Sequence, residues 1–536
     1  MINYLYLVFF IIFIFLSQLS ILGYGKVTKK IIKLDYFSNE RYFQKFIEFF
    51  LGIITLNVIG YILYILSITN IHINLLILTF GLLIYLKQRN KYSKKIEKTN
   101  IILLMLLCVG VLISKTHEDF TSNHLPFIDV ISNSKLILGL SNLEIIYTYS
   151  SFLSYLQKIF VLPIINYKFL HVPIFLIFFN ICLFLISEIL YKKKFNFINL
   201  FLLIFLLTKF TRISEYGYDY ISGFILLSIV LIYFYSNNKY IKINLSLICI
   251  FFLYAVSIKA TSLFFFPVFL IIFLHSSTKY NGNFKEFFLI NKNSIFFFLV
   301  LFLLIIIDNF FKSGCFFYYL KFTCLDDKII PWAINSEKIL DFSQVVELWA
   351  KGYFHQTTIT NNPELFLKFS SWFPIWYKNY FNYKIFEFLI IMILITFLII
   401  ALNYKNFKLK TFNLVDMIFF LSSVFSLIFW ISYLPQLRFG FYALVCFVIL
   451  LVGNFTNINE EKNNNKSIYS LIIISLVIFN ILNIKRINNE FQRNDKYKFN
   501  NFPFESVSNY LVKDTFDQRY LNIKTNKFYF FDYIER

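Results

Sequence analysis

Apolar residues in this chain do not alternate with polar ones at a strand or surface-helix period; they run on in long unbroken stretches. Residues 2–19 and 294–307 contain no Asp, Glu, Lys or Arg at all. About 18 or more such residues cross the ~30 Å hydrocarbon core of a bilayer as a helix. A helix is the natural form there, because its backbone polar groups satisfy one another. The pattern predicts about fourteen spans, at 2–22, 46–70, 72–87, 100–114, 166–190, 196–211, 217–236, 243–257, 260–275, 294–311, 385–404, 412–432, 438–453 and 467–484. The expected fold class is therefore all-α, a polytopic transmembrane helical bundle. Residues 1–22 lack a basic leader and a small-residue cleavage site, so they are expected to be a first span and not a cleaved signal.

Composition agrees with this reading. The chain is 58% hydrophobic and 15% charged, far from the mix of a water-soluble domain. Its 73 Phe and 37 Tyr accompany a general richness in Ile, Asn and Lys, and are read as lipid-facing or helix-packing side chains, not cofactor boxes. The net charge of +21 does not point to nucleic acid, because the basic residues sit in short clusters between spans and form no basic helix.

Those clusters carry topology. Lysines and arginines crowd 23–45 and 87–98, then 192–194, 239–242, 279–292, 405–410 and 462–466, whereas the alternate short connections hold one basic residue or none. Membrane proteins keep such loops on the cytoplasmic side. The N-terminus, segments 115–165 and 312–384, and the tail 485–536 are then expected outside. Three units follow: N-terminal spans in 1–99, a core in 100–484, and a short tail in 485–536 that is too small for a sizeable core.

On the outside, ionisable residues stand at span ends, where charge near hydrocarbon is costly and so a candidate for function. Glu118 and Asp119 follow the fourth span, with His124 soon after. Glu215 and Asp219 follow Arg212; Lys259 lies between two spans; Asp308 ends another; Arg438 sits in a tight turn. A carboxylate there can act as general base on a hydroxyl. Isolated Arg and Lys can hold a phosphate, Arg through a bidentate fork. Asp119 or Glu118 is the candidate base, and His124, Asp219, Lys259 and Arg438 are candidate substrate-binding residues. The plainer alternative is a set of interfacial charges that snorkel or pair with one another. No His or carboxylate spacing argues for a metal, and no cofactor is implied.

Of six Cys, Cys108, Cys182, Cys249 and Cys446 fall in apolar runs as packing residues. Cys315 and Cys324 share the second outside segment, where a disulfide and two free thiols are equally open. Trp332, Trp349, Trp372 and Trp376 in that segment are either interfacial anchors or an aromatic wall for a sugar.

With these residues in view, the chain resembles the GT-C superfamily of membrane glycosyltransferases, which use polyprenyl-phosphate sugars at the outer face. The acidic pair Glu118-Asp119 stands where that superfamily carries its acidic residues, in the first large outer loop. It is more closely similar to an uncharacterised group of bacterial GT-C-like membrane proteins. The features carrying this are Asp119 with His124-Leu125-Pro126, then Gly139-Leu140-Ser141-Asn142, Ser150-Ser151, Asp219, Lys259, Ser313-Gly314 with Pro331-Trp332, and Arg438-Phe439-Gly440. The resemblance implies a bacterial plasma-membrane enzyme moving a sugar from a polyprenyl-phosphate donor to a lipid or glycan acceptor. It also implies an amphipathic region from Leu125 to about Leu156 lying on the membrane surface. The acidic pair is Glu-Asp, not Asp-Asp or Asp-Glu. No large soluble C-terminal domain is present, which disfavours peptide glycosylation. A flippase or transporter, a polymerase of lipid-linked glycans, and a catalytically inactive relative are the competing readings. The scarcity of Gly and Pro, 14 and 9 in all, and of charge within the spans speaks against a transporter.

Overall fold

The structure, a computed structural model, describes residues 2–34, 41–88, 94–112, 123–163, 165, 167–192, 197–209, 218–235, 241–278, 284–318, 320–325, 328–355, 362–402, 407–409, 414–458 and 465–493. Among the described residues, eight helices are long and apolar enough to cross a membrane: Leu7–Ile31, Tyr42–Ile65, Val172–Leu190, Ala260–Ser277, Asn291–Ser313, Phe369–Ala401, Leu414–Tyr433 and Ile468–Asn489. Six shorter apolar helices stand among them: Ile71–Lys87, Lys98–Val111, Phe197–Lys209, Asp219–Phe234, Leu245–Ile258 and Leu437–Gly453. Among the described residues the strands are one short antiparallel pair, Phe407–Leu409 with Thr456–Ile458, joining two inter-helix connections. The protein is thus a membrane protein built almost wholly of helices.

Burial separates centre from periphery. Val172–Leu190 is buried along nearly all of its most apolar stretch and sits at the centre of the bundle, whereas Asn291–Ser313, Phe369–Ala401 and Ile468–Asn489 are mostly exposed along theirs. The peripheral helices turn side chains such as Phe296, Phe397 and Ile473 outward, as helices with a hydrocarbon solvent can. Close helix contacts use small residues. A Cβ on Gly25 would lie 1.5 Å from the carbonyl oxygen of Glu48, so only glycine lets these two helices meet. That approach also seats the buried Lys29–Glu48 ion pair, 2.6 Å long.

The three N-terminal helices are continuous with the rest. Asn57 accepts from the amide of Leu156 at 2.7 Å, and the Gly60 position abuts the carbonyl of Tyr155. This contact corrects one expectation. The segment from Leu125 to Leu156 does not lie as an amphipathic helix on a surface. It breaks into the short helices Leu125–Asn133, Leu140–Leu143 and Ser154–Ile159, buried on nearly every side. The reason is composition: its polar residues find protein partners, as when Asn133 donates to Asp129 (2.7 Å) and to Tyr167 (2.8 Å).

Lys158, on the last of these helices, is 2% exposed, and burial pushes its ammonium down to about 7. Its Nζ donates to the carbonyl of Ile68 at 3.4 Å. The folded value lies below the unfolded value of about 10.4, so the unfolded chain binds more protons between the two. Stability from this group therefore rises with pH from about 7 toward 10.4, and the burial penalty is complete below 7. Lys158→Met is expected to raise the melting temperature of the detergent-solubilised protein most near pH 6, with the gain fading toward about pH 10. A gain independent of pH would show that the lost charge is not its source.

Candidate functional site

At one end of the helix bundle, four separate chain segments bring charged residues together. The helix Asp219–Tyr235 begins with its own carboxylate, favourably placed at a helix N-terminus. The helical conformation is interrupted between Ile258 and Ala260, where Lys259 adopts an extended conformation (φ −154°, ψ 121°). Lys259 Nζ pairs with Asp219 Oδ1 and also donates to the carbonyl of Arg438 at 3.3 Å. Arg438, Lys259 and His124 all act electrostatically on the Asp219 carboxyl. The His124 ring meets Tyr218 edge-on at 4.5 Å, and Tyr218 Oη is 2.7 Å from Ser154 Oγ.

Aromatic rings hold the two cations. Phe439 lies between them, with Lys259 Nζ 4.2 Å and the Arg438 guanidinium carbon 4.9 Å from its centroid. Arg438 also stacks on Trp349 at 4.2 Å. Such contacts fix the orientation of the guanidinium.

The turn bearing Arg438 is held on several sides. Trp376 Nε1 donates to the carbonyl of Pro435 at 2.6 Å, and Trp430 Nε1 to that of Gln436 at 2.9 Å. The amide of Leu437 donates to Tyr380 Oη at 2.9 Å. A Cβ on Gly440 would fall 2.2 Å from the Trp430 indole, so glycine is what allows the turn to sit against that ring. Tyr380 belongs to a π-helical stretch, Tyr377–Ile385, which follows Pro374. A wide turn of this kind re-aims side chains and is frequent at functional sites.

Four of the six sequence-predicted site residues, His124, Asp219, Lys259 and Arg438, are therefore neighbours. Glu118 and Asp119 lie outside the described residues, as do Arg212, Glu215 and the tail from 494. Asp308 is placed elsewhere. It pairs with Lys312 at 2.6 Å and accepts from Tyr155 Oη at 2.6 Å, in a cluster buried from every side. The sequence reading did not single out Tyr218, Tyr380 or Trp430. Nothing in the local sequence of these residues distinguishes them from the chain's many other aromatics.

Of the four tryptophans, Trp372 and Trp376 are buried packing residues, 2% and 3% exposed. Trp332 donates to the carbonyl of Phe310 at 3.4 Å, while its own carbonyl accepts from Asn142 at 2.8 Å. Only Trp349 joins the charged group. Cys315 and Cys324 form a disulfide that closes a small antiparallel turn, with the Phe316 amide donating to Thr323 at 3.1 Å. Cys108, Cys182 and Cys446 are buried thiols, and Cys249 is partly buried. Among the described residues no group of three His, Cys, Asp or Glu could hold a metal ion.

The fold and this site define a multi-helix membrane protein with an acid–cation cluster at one end of its helices. The chain belongs to the DUF8201 family, a domain of unknown function, whose family model matches residues 5–445. That match takes in the three N-terminal helices together with the Arg438 turn. No curated protein and no solved structure matches the chain.

Proposed function

We propose that the protein is a GT-C-like glycosyltransferase of the bacterial plasma membrane, with about fourteen spans and its reaction centre at the outer face. The single observation that carries this is the meeting of His124, Asp219, Lys259 and Arg438, drawn from four distant segments onto one end of the bundle. In this reading Arg438 and Lys259 hold the phosphate of a polyprenyl-phosphate sugar. Asp219 keeps Lys259 aligned, and Phe439 with Trp349 fixes the guanidinium.

Asp119 or Glu118, on the segment leading into His124, removes the proton of the acceptor hydroxyl, which attacks the anomeric carbon. The bond from that carbon to the phosphate oxygen breaks, and the polyprenyl phosphate leaves with both electrons. Negative charge grows on the leaving phosphate, where fixed cations stabilise most. The disulfide in the segment 312–384 supports an oxidising compartment on this side, in agreement with the lysine bias of the opposite loops.

The test is turnover of a panel of polyprenyl-phosphate sugars by the purified protein in lipid. Release of polyprenyl phosphate is expected, and is expected to disappear in Asp119→Asn or Glu118→Gln, whichever residue is the base. No release across the panel, with polyprenyl phosphate still bound by both variants, would replace catalysis with carriage of a lipid phosphate.

A further inference from the structure

A second feature lies away from this site. An apolar groove of about 370 Å³ runs between the helices Lys94–Leu107, Val172–Lys192 and Asn465–Arg493. Its floor is Leu103, Ile186 and Ile472, all buried; its rims are Ile102 and Ile473, 51% and 60% exposed. It therefore opens sideways, from the flank of the bundle, and not from its end. Thr99 and Tyr469 are the only lining residues with a polar side-chain group, and they mark one extremity.

That extremity is the lysine-rich one. Lys98, exposed, directly precedes Thr99; in sequence, Lys94, Lys95 and Glu97 come earlier on the same helix, and Lys466 is the second residue of the helix Asn465–Arg493 that carries Tyr469. The opposite ends of the same helices meet where Arg486 donates to the carbonyl of Gly110 at 3.4 Å and His171 Nε2 lies 3.0 Å from that of Val111. Near that end Phe178 meets Phe224 at 6.0 Å, both in the N-terminal halves of their helices, which places the start of Asp219–Tyr235 on the His171 side. The groove's polar mouth and the acid–cation cluster are thus at opposite ends of the bundle.

We propose that this groove is a binding site for one acyl chain of an anionic phospholipid from the leaflet on the lysine-rich side. A slot lined by aliphatic side chains and open to hydrocarbon loses dispersion contacts when unfilled, and an alkyl chain restores them. A tyrosine ring at the slot's mouth suits the headgroup boundary. Lys98, exposed beside that mouth, selects a negative headgroup. The site does not depend on the glycosyltransferase reading, since its mouth faces away from the Arg438 turn.

The test places the full-length protein in phosphatidylcholine nanodiscs with a small fraction of phosphatidylglycerol bearing a photoactivatable acyl chain. After irradiation, adducts are mapped by peptide mass spectrometry. Adducts on residues 99–106 and 469–476 are expected to be severalfold enriched over those on the exposed face of Leu414–Tyr433, and to saturate as the probe fraction rises. Ile102→Trp, which crowds the rim without touching the floor, is expected to remove the enrichment. Lys98→Glu is expected to abolish the preference over a phosphatidylcholine probe. Equal labelling of all outward faces, unchanged by either substitution, would overturn the proposal. Protein–protein adducts at the groove would overturn it in favour of a second copy of the chain.

Discussion

Arg438→Gln is expected to reduce turnover of a polyprenyl-phosphate sugar by about 100- to 1,000-fold, the usual cost of removing one fixed donor from developing charge. The melting temperature should change little, because the turn is held by backbone contacts to Trp376, Trp430 and Tyr380 that do not involve the guanidinium. Arg438→Lys keeps the charge but loses the planar fork and the stacking on Trp349, so it is expected to fall between the two. Initial rates at saturating donor, read beside thermal melts, separate the outcomes. Wild-type rates in the glutamine variant would remove Arg438 from the reaction. A loss of rate matched by a collapse in melting temperature would make it a structural residue.

How much of this was legible in the sequence depends on the range of the interaction. Helices announced themselves because their signal is local: a run such as 294–307 has one stable form in hydrocarbon. Site residues at helix ends were legible for a related reason. Asp219, Lys259 and Arg438 each interrupt an apolar pattern, and a charge in that position needs a partner. That the three are partners of one another is a long-range fact, with Lys259 meeting a carboxylate and a carbonyl from segments on either side of it in sequence. Asp308 shows the limit of the local signal. It interrupts an apolar run just as Asp219 does, yet its charge is answered one turn away on its own helix.

The segment 125–156 misled for a different reason. Its mixed polarity suits a membrane surface, but the same asparagines and tyrosines also suit a buried plug once Asp308 accepts from Tyr155 and the Trp332 carbonyl from Asn142. The family match to residues 5–445 makes the plug and the three N-terminal helices parts of one unit. The opposite ends of Tyr42–Ile65 illustrate this, with Glu48 tied to Lys29 and Gly60 packed on the plug.

That plug makes a second strong prediction. Lys312 is 4% exposed and bonds to Asp308 at 2.6 Å, while its Nζ also donates to the carbonyl of Ser150 at 3.4 Å. Phe127 and Tyr155 rings flank the same ammonium, at 5.4 and 5.7 Å. Removing one partner of a buried pair leaves an uncompensated charge and costs about 3–5 kcal/mol. Lys312→Met is therefore expected to lower the melting temperature sharply. It should also make the 125–156 segment accessible to proteolysis, because the lysine is one of the ties between that segment and the helix Phe284–Ser313. The double variant Asp308→Leu with Lys312→Met removes both charges and leaves two apolar side chains of similar bulk. Such replacements of a whole buried pair are often neutral or stabilising. Recovery of most of the lost melting temperature in the double variant would assign the cost to the stranded carboxylate. If both variants are equally unstable, the cost lies in the lost packing around Phe127 and Tyr155, and the ion pair contributes fixation of the plug without net stability.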